Sequence, residues 1–506
     1  MLPAEMVLEF DASVRRIDDG RVLVGGSPIR LLRLTESGAR TIARWTAGEP
    51  VGSSVGGRRL ARRLLDGGLA HPRSAPSVAS VASDRRAGEV TVVIPVFGTP
   101  DGLARTLAAL AADATAAAVA VVVVDDGSGP ADAAAIAEAG VAAGARVVRL
   151  EVNSGPGAAR NRGLDEVTTA FVAFVDSQVE PSTGWLSTLL PHFDDPAVAA
   201  VAPRVVVPEA GAPRAAGIGG AGGADVAGAG GPCGDVLARF ERDRSPLDLG
   251  PDPARVASRT RVAYVPTTTL VGRVDALTDV GVFDDRVRFG EDVDLVWRMV
   301  EAGWTVRYEP AVSVGHPPRP DMGAWLRQRF DYGQSAAVLA ERHPGALAPL
   351  SISMWSASAW GLAVAGFPLT GVAVAAVAAA QLPRRLSGLE RPWAEGLRLA
   401  GGGTWAAWRP LSSAVTRTWW PVGLGAALVS RRARRAVLAA ALVPPLVDWW
   451  QGDRQLDPLR YTALRLLDDL AYGAGVWAGC ARYGTIEPLV PDLHSWPGHT
   501  RAVESG

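Results

Sequence analysis

The sequence predicts an α/β protein built on a doubly wound sheet, with a small N-terminal α+β module and an apolar helical C-terminal region. Three observations carry that expectation. Across residues 89–320, short β-branched runs alternate with helical patterns, as parallel strands buried on both faces require. Ahead of this zone, residues 1–70 hold one strand-like run and two helix-like stretches. Beyond it, from residue 350, charged residues become scarce over long intervals.

The elements follow in order. RVLVGG reads as a strand. LTESGARTIARWTAG reads as a helix that starts at Thr35 and Glu36 and stops at Gly48, and RRLARRLLDGGL places its leucines at helical spacing. Residues 71–88, dominated by proline, serine and small side chains, read as a linker. The middle zone then runs VTVVIP, helix LARTLAALAA, VAVVVV, a helix over about residues 132–143, RVVRLEV, a helix from about Gly157, and FVAFVD. Residues 209–231, almost all glycine and alanine, have little to bury and read as a flexible insertion.

Residues 321–349 form a basic helical segment containing WLRQRFDYG, and residues 350–506 an apolar helical, membrane-associated region. Residues 350–382 contain no charge, long enough for a bilayer core of about 30 Å, and Arg384 and Arg385 follow at once. Apolar runs at residues 419–430 and 436–450 flank Arg431, Arg432, Arg434 and Arg435. Trp355, Trp360, Trp419, Trp420, Trp449 and Trp450 sit near segment ends, as interface anchors would. A buried helical bundle is the alternative.

At 506 residues the chain can hold two or three domains. A net charge of −1 with 20% charged residues gives no electrostatic footprint for nucleic acid. Lysine is absent, which together with abundant alanine, glycine and valine reads as codon bias rather than arginine-specific recognition. Cys233 and Cys480 lie far apart without metal-ligand spacing. The amino terminus lacks a basic start followed by an apolar run, so a secretory signal is not expected. The expected location is the cytoplasmic face of the membrane, peripheral or integral through the C-terminal region.

Four stretches carry chemistry. VVVVDDGS puts Asp125 and Asp126 at the carboxyl end of a strand, where open α/β sheets bind ligands. There they can accept hydrogen bonds from a base or ribose, or simply cap the next helix. In NSGPGAARNRG, Asn153, Gly155 and Gly157 make a tight loop before a helix whose N–H groups favour phosphate, and Arg160 adds a planar cation suited to pyrophosphate. Asp176 ends FVAFVD, where an acid can hold a divalent ion against a diphosphate or make a turn. In GEDVDLVWRMVEAGW, Glu291 and Asp292 precede a helix with Leu295, Val296, Met299 and Val300 on one face. A carboxylate held there can act as general base, while Glu291 and Asp294 can also complement the helix dipole. His316, in SVGHPPR, follows a strand-like run.

In this order the motifs DDGS, N-x-G-x-x-x-A-R-N, the aspartate of FVAFVD and the ED before a helix resemble the family 2 glycosyltransferases, which have the GT-A fold, over about residues 90–316. The resemblance implies an inverting single displacement. It implies that Asp125 and Asp126 bind the nucleoside of a UDP-sugar, with Pro95, Asn153, Gly157, Arg160 and Asp176 in the same donor-binding set. It makes Asp176 the first residue of a metal-binding D-x-D, and Asp292, beside Glu291, the catalytic base. Gln178 stands where the second aspartate is usual. It can offer a carbonyl oxygen, and Glu180 or His316 can supply the rest, so Mg²⁺ or Mn²⁺ is expected on Asp176, Gln178 and His316.

RVAYVPTTTLVGR, FGEDVDLVWRMVEAGWTVRYEP and RQRFDYGQSAAVLAERHPG, with LTESGARTIARWTAGEP and LARRLLDGGLAHP, resemble a narrower actinobacterial branch over nearly the whole chain. That implies transfer of glucose from UDP-glucose to a modified peptide, a ribosomal-peptide-derived redox cofactor precursor, building a β-1,4-linked oligomer. Processive members carry Q-x-x-R-W; here Arg329–Phe330 match in part and Leu326 replaces the glutamine. The N-terminal module is similar to winged-helix peptide-binding domains, which implies peptide recruitment, with a structural cap as the alternative. A lipid or cell-envelope glycan acceptor is a second reading. A non-catalytic sugar-nucleotide or peptide-binding scaffold, suggested by Gln178 and opposed by Asp292, is a third.

Overall fold

The computed structural model describes residues 1–73, 87–208, 232–319, 321–386 and 388–495. The insertion expected at residues 209–231 lies outside them, as does most of the expected linker. The chain divides into two compact units, Met1–Arg319 and Pro320–Gly506.

The first unit opens with strands β1 (Val7–Phe10), β2 (Arg15–Ile17), β3 (Val22–Gly25) and β4 (Arg30–Arg33), helices Glu36–Thr46 and Val55–Asp66, and β5 (Ala70–Arg73). β2, β3 and β4 form an antiparallel sheet, and β1 pairs antiparallel with β5. Thr35 and Ser54 cap the two helices by accepting from the N–H groups of Gly38 and Gly57. The helices bury Ile42, Trp45, Leu64 and Leu65 against Leu23. Because Ala70–Arg73 pairs with β1, the linker expected from residue 71 starts no earlier than residue 74. Proline inside AHPR hides that edge strand from a pattern search.

The large sheet comprises β6 (Val90–Val96), β7 (Ala120–Asp125), β8 (Arg146–Arg149), β9 (Phe171–Val175), β10 (Glu180–Pro181), β11 (Val198–Val206), β12 (Ala254–Val256), β13 (Thr269–Arg273) and β14 (Thr305–Gly315). Its nine strands run β10-β14-β11-β13-β9-β6-β7-β8, with β12 on β14. β9, β6, β7 and β8 are parallel, as their continuous apolar runs predict. β13 lies antiparallel to β9 and β11, so the sheet is mixed. A buried run such as TLVGR has the same composition in either direction, so its direction is not legible in sequence. Helices Pro100–Ala112, Pro130–Ala142 and Pro156–Leu164 pack on this sheet. Gly163 lets the last approach closely, since a Cβ there would lie 2.3 Å from Val93 Cγ1. The core gathers Val92, Ile94, Val123, Ala173, Val175, Val201 and Val271.

In the second unit, helices Met322–Arg342 and Pro458–Tyr483 pack backbone to backbone through glycines. A Cβ on Gly475 would lie 2.0 Å from the Phe330 carbonyl oxygen, and one on Gly333 2.0 Å from that of Tyr472. Arg329 pairs with Asp468 at 2.7 Å between these two helices, and Arg417, from the turn Ala414–Thr418, reaches Asp469 of the second at 3.2 Å. The uncharged run at residues 350–382 is not one helix. It is the strand Ser351–Ser353, the helix Met354–Val364, a break at Gly366 (φ +95°) and the helix Pro368–Arg385. Among the described residues, no helix is long and apolar enough to cross a membrane. Absence of charge is necessary for a span, but Gly366 and Pro368 interrupt this one. The basic cluster opens the helix Arg431–Gln451 instead of separating two spans. Trp360, Trp419 and Trp449 are partly buried and donate their indole N–H groups to the carbonyls of Thr404, Leu489 and Leu456. Trp450 is exposed.

Candidate active site

The acidic stations come together at the carboxyl ends of β7 and β9 and the start of the helix Glu291–Glu301. β7 ends in Asp125, and the chain turns sharply through Gly127, whose φ is +73°. A Cβ on Gly127 would lie 2.5 Å from the Val152 carbonyl carbon, so this turn packs directly on the next loop and admits only glycine. Asp125 Oδ1 accepts from Ser128 N–H at 2.9 Å, and Arg149 stands 3.3 Å from Oδ2. Asp126 grips the glycine loop: its two oxygens accept from Ser154 N–H at 2.8 Å and Gly155 N–H at 2.9 Å. Burial nonetheless raises the Asp126 pKa, outweighing those two hydrogen bonds. The expected alternative, a cap on the next helix, is not what these side chains do: the helix Pro130–Ala142 starts at Gly129 without a side-chain cap, Asp125 holds its own turn and Asp126 the distant glycine loop. Pro95 lies on β6 opposite Val124, one step before the Val96–Asp125 pair.

Arg160 occupies an unexpected position. The helix Pro156–Leu164 buries it fully, and its guanidinium donates to Asp176 Oδ1 at 2.7 Å and Glu291 Oε1 at 3.0 Å. It also lies 5.5 Å from the centre of the Phe283 ring. Burial opposes its charge, but Asp176 and then Glu291 hold its pKa raised. Through these two ion pairs Arg160 ties Asp176 to Glu291, contacts that its motif alone does not announce.

Glu291 is 7% exposed, and Asp292 beside it is half-buried. Burial, then the Asp292 charge, pushes Glu291 up to about 7. Burial likewise raises Asp292, against the pull of Arg160 and hydrogen bonds from the N–H groups of Val293 and Thr267. Asp294 is wholly buried and accepts from Arg298 at 2.8 Å, so it anchors the helix and does not face the cleft.

Around Asp176 the surroundings differ from a closed metal cage. Among the described residues, no three His, Cys, Asp or Glu side chains gather as one. His316 is half-buried; burial lowers its pKa while the nearby Asp176 charge opposes the change. Gln178 lies over Gly102, its Cγ 2.9 Å from where a Cβ would sit. Glu180 pairs with Arg105 at 3.3 Å.

The glycosyl transferase family 2 model matches residues 91–218, and that of glycosyl transferase family group 2 matches residues 186–429. Two curated relatives, each called pre-mycofactocin glycosyltransferase and found in two strains of Mycobacterium tuberculosis, are 40% identical over 98% of this chain and 99% of their own. The chain belongs to the family 2 glycosyltransferases. Family 2 membership carries the GT-A expectation drawn from the motifs, and the mixed α/β sheet agrees with it. A solved mannosyltransferase, PcManGT from Pyrobaculum calidifontis in complex with GDP-Man and Mn²⁺, is similar over 77% of this chain and 95% of its own. Its 15% identity and TM-score of 0.37 say nothing about this site.

In this glycosyltransferase, several residues that shape the site carry no chemical signal of their own in the sequence. Asn161 clamps the loop before the acidic helix, donating to Phe283 O at 2.8 Å and accepting from Phe283 N–H at 3.1 Å. Arg288 donates to Asn153 Oδ1 at 3.0 Å. Asn161 stands inside the N-x-G-x-x-x-A-R-N motif, so its place there was the available clue. Thr267, Phe283 and Arg288 had none, since their roles arise only when distant segments meet.

Proposed function

We propose that this glycosyltransferase transfers glucose from UDP-glucose to a peptide-derived redox cofactor precursor of the mycofactocin kind, inverting the anomeric centre and extending a β-1,4-linked oligomer. The near-full-length identity to the pre-mycofactocin enzymes is the observation that carries the acceptor assignment. Asp292 takes the proton of the acceptor hydroxyl. The hydroxyl oxygen forms its bond to the anomeric carbon as the bond to UDP breaks, and the electron pair leaves on the diphosphate. Backbone N–H groups of Val293 and Thr267 hold the Asp292 carboxylate, and its raised pKa brings its basicity closer to working pH.

Asp176, Glu291 and Asp292 gather around the cation Arg160, three acids to one guanidinium, so negative charge remains where the diphosphate must enter. A divalent ion, Mg²⁺ or Mn²⁺, would be held by Asp176 with Gln178 and His316 and would offset that charge. Asp125, Asp126 and the glycine loop take the nucleotide. For the second unit we propose peripheral association with the cytoplasmic face of a membrane. Leu424, Leu428 and Val429 are exposed beside Arg431, Arg432, Arg434 and Arg435, the composition of an interfacial helix pair. The same surface favours a lipid-linked acceptor as the second reading.

Mass spectrometry of products from UDP-glucose and the precursor tests the reading directly. Hexose increments are expected on the precursor and none on polyprenyl phosphate. Asp292→Asn is expected to cut turnover by about 10² to 10⁴ while UDP-glucose still binds; undiminished turnover reassigns the base.

A further inference from the structure

The glycine loop and the helix start that follows it have little backbone left to offer an anion. The N–H groups of Ser154 and Gly155 already donate to the two Asp126 oxygens, at 2.8 and 2.9 Å. Pro156, at the first helical position, has no N–H. Gly157 is buried against Phe283 and Glu291, and a Cβ there would lie 3.6 Å from Glu291 Cγ. An anion brought to this turn therefore meets the carboxyls of Asp126 and Glu291, and only a cation can offset them.

The arginines nearby answer that need unequally. Arg149 stands 3.3 Å from Asp125, and Arg160 is buried between Asp176 and Glu291. Arg288 is exposed on the loop just before the acidic helix, and its Nη2 donates to Asn153 Oδ1 at 3.0 Å. That partner is a neutral amide, so the guanidinium keeps its charge and most of its N–H donors. Arg288 Cγ lies 4.0 Å from where a Cβ on Gly155 would sit, which puts the side chain across the glycine loop. Burial raises the Asp126 pKa, and the Arg288 charge is near enough to oppose that rise.

We propose that Arg288 binds the diphosphate of the donor, reaching over the glycine loop with Asn153 as its anchor. The inference rests on the nucleotide-sugar reading of this cleft. A guanidinium fork can meet two phosphate oxygens with parallel hydrogen bonds, and the Asn153 contact orders the side chain before the donor arrives. Asn161 clamps the same loop through both backbone groups of Phe283. The loop then runs through Gly290 into Glu291 and Asp292, so the phosphate end of the donor is registered against the base by one short stretch of chain.

Calorimetric titration with UDP, and ligand-observed NMR titration with uridine, test this on the full chain with Mn²⁺ present. Arg288→Gln keeps an N–H for Asn153 but removes the charge. It should weaken UDP at least about tenfold, the loss of a charge-assisted hydrogen bond, and leave uridine within about twofold. Arg288→Lys should regain at least about threefold of the lost UDP affinity, because the charge returns without the fork. UDP binding within about twofold of wild type in Arg288→Gln, or equal weakening of UDP and uridine, would overturn the proposal. Wild-type protein that binds no UDP sinks the donor reading together with Arg288, whereas wild-type binding that Arg288→Gln leaves intact sinks Arg288 alone.

Discussion

Replacing Glu291 with glutamine removes a buried acid while keeping its shape and an oxygen for Arg160. In the native protein, burial and the neighbouring Asp292 charge push this carboxyl from 4.5 up to about 7. Between those values the native state keeps a proton that the unfolded chain has released. The unfolded state then binds fewer protons, so stability falls as pH rises. The contribution is fully present below about 4.5 and lost as pH passes about 7. At about 1.36 kcal/mol per pH unit, the loss over this window comes to about 3 kcal/mol. Glu291 is nearly excluded from water, so solvent screening takes little from that figure. Urea unfolding of wild type and Glu291→Gln, at steps from pH 4.5 to 8, measures it. The wild type should lose about 3 kcal/mol more than the variant across that range. Parallel curves would refute the account of Glu291 as a buried, proton-holding partner of Asp292.

Three further outcomes are expected. Chelation with EDTA should abolish glycosyl transfer and added Mn²⁺ or Mg²⁺ should restore it; undiminished turnover in EDTA removes the metal from the site. Gly475→Ala should destabilise the helical unit by about 1–3 kcal/mol in thermal unfolding, because its Cβ would fall 2.0 Å from the Phe330 carbonyl oxygen; an unchanged melting temperature contradicts that close approach. The protein should co-sediment with vesicles containing anionic lipid, and Leu428→Ser with Val429→Ser should release at least half of it. Sedimentation that ignores both lipid charge and these substitutions argues against the lipid-facing surface.

Sequence reading located the strands of the sheet's parallel half well, because each is a continuous apolar run with nothing ambiguous in its period. It also located the four chemical stretches, since carboxylates and glycines after strand ends are visible in one dimension. It missed β1 and β5 of the N-terminal module, which pair across distant stretches of chain, and β2 and β4, short hairpin strands with too few apolar residues to show alternation. It overread residues 350–382 because hydropathy averages across Gly366 and Pro368, whereas helix continuity is broken at single residues.

The role of Arg160 shows why the rest of the site lay beyond sequence. From its motif, the guanidinium stands on a helix that follows a glycine loop, and a phosphate contact is the natural inference. Its actual contacts depend on where residues 176 and 291 return in space, and they return to the same spot. An arginine so placed uses one N–H of each terminal nitrogen for the two carboxylates, and its other N–H groups remain for a further acceptor. Drawing the guanidinium away from either carboxylate would instead break an ion pair and leave a buried carboxylate beside its like-charged neighbour. Such rupture costs about 3–5 kcal/mol when one partner is lost, more than a single phosphate hydrogen bond returns. On that comparison Arg160 is a positioning residue: it fixes Asp176 against Glu291, and through Glu291 it sets the charge beside Asp292.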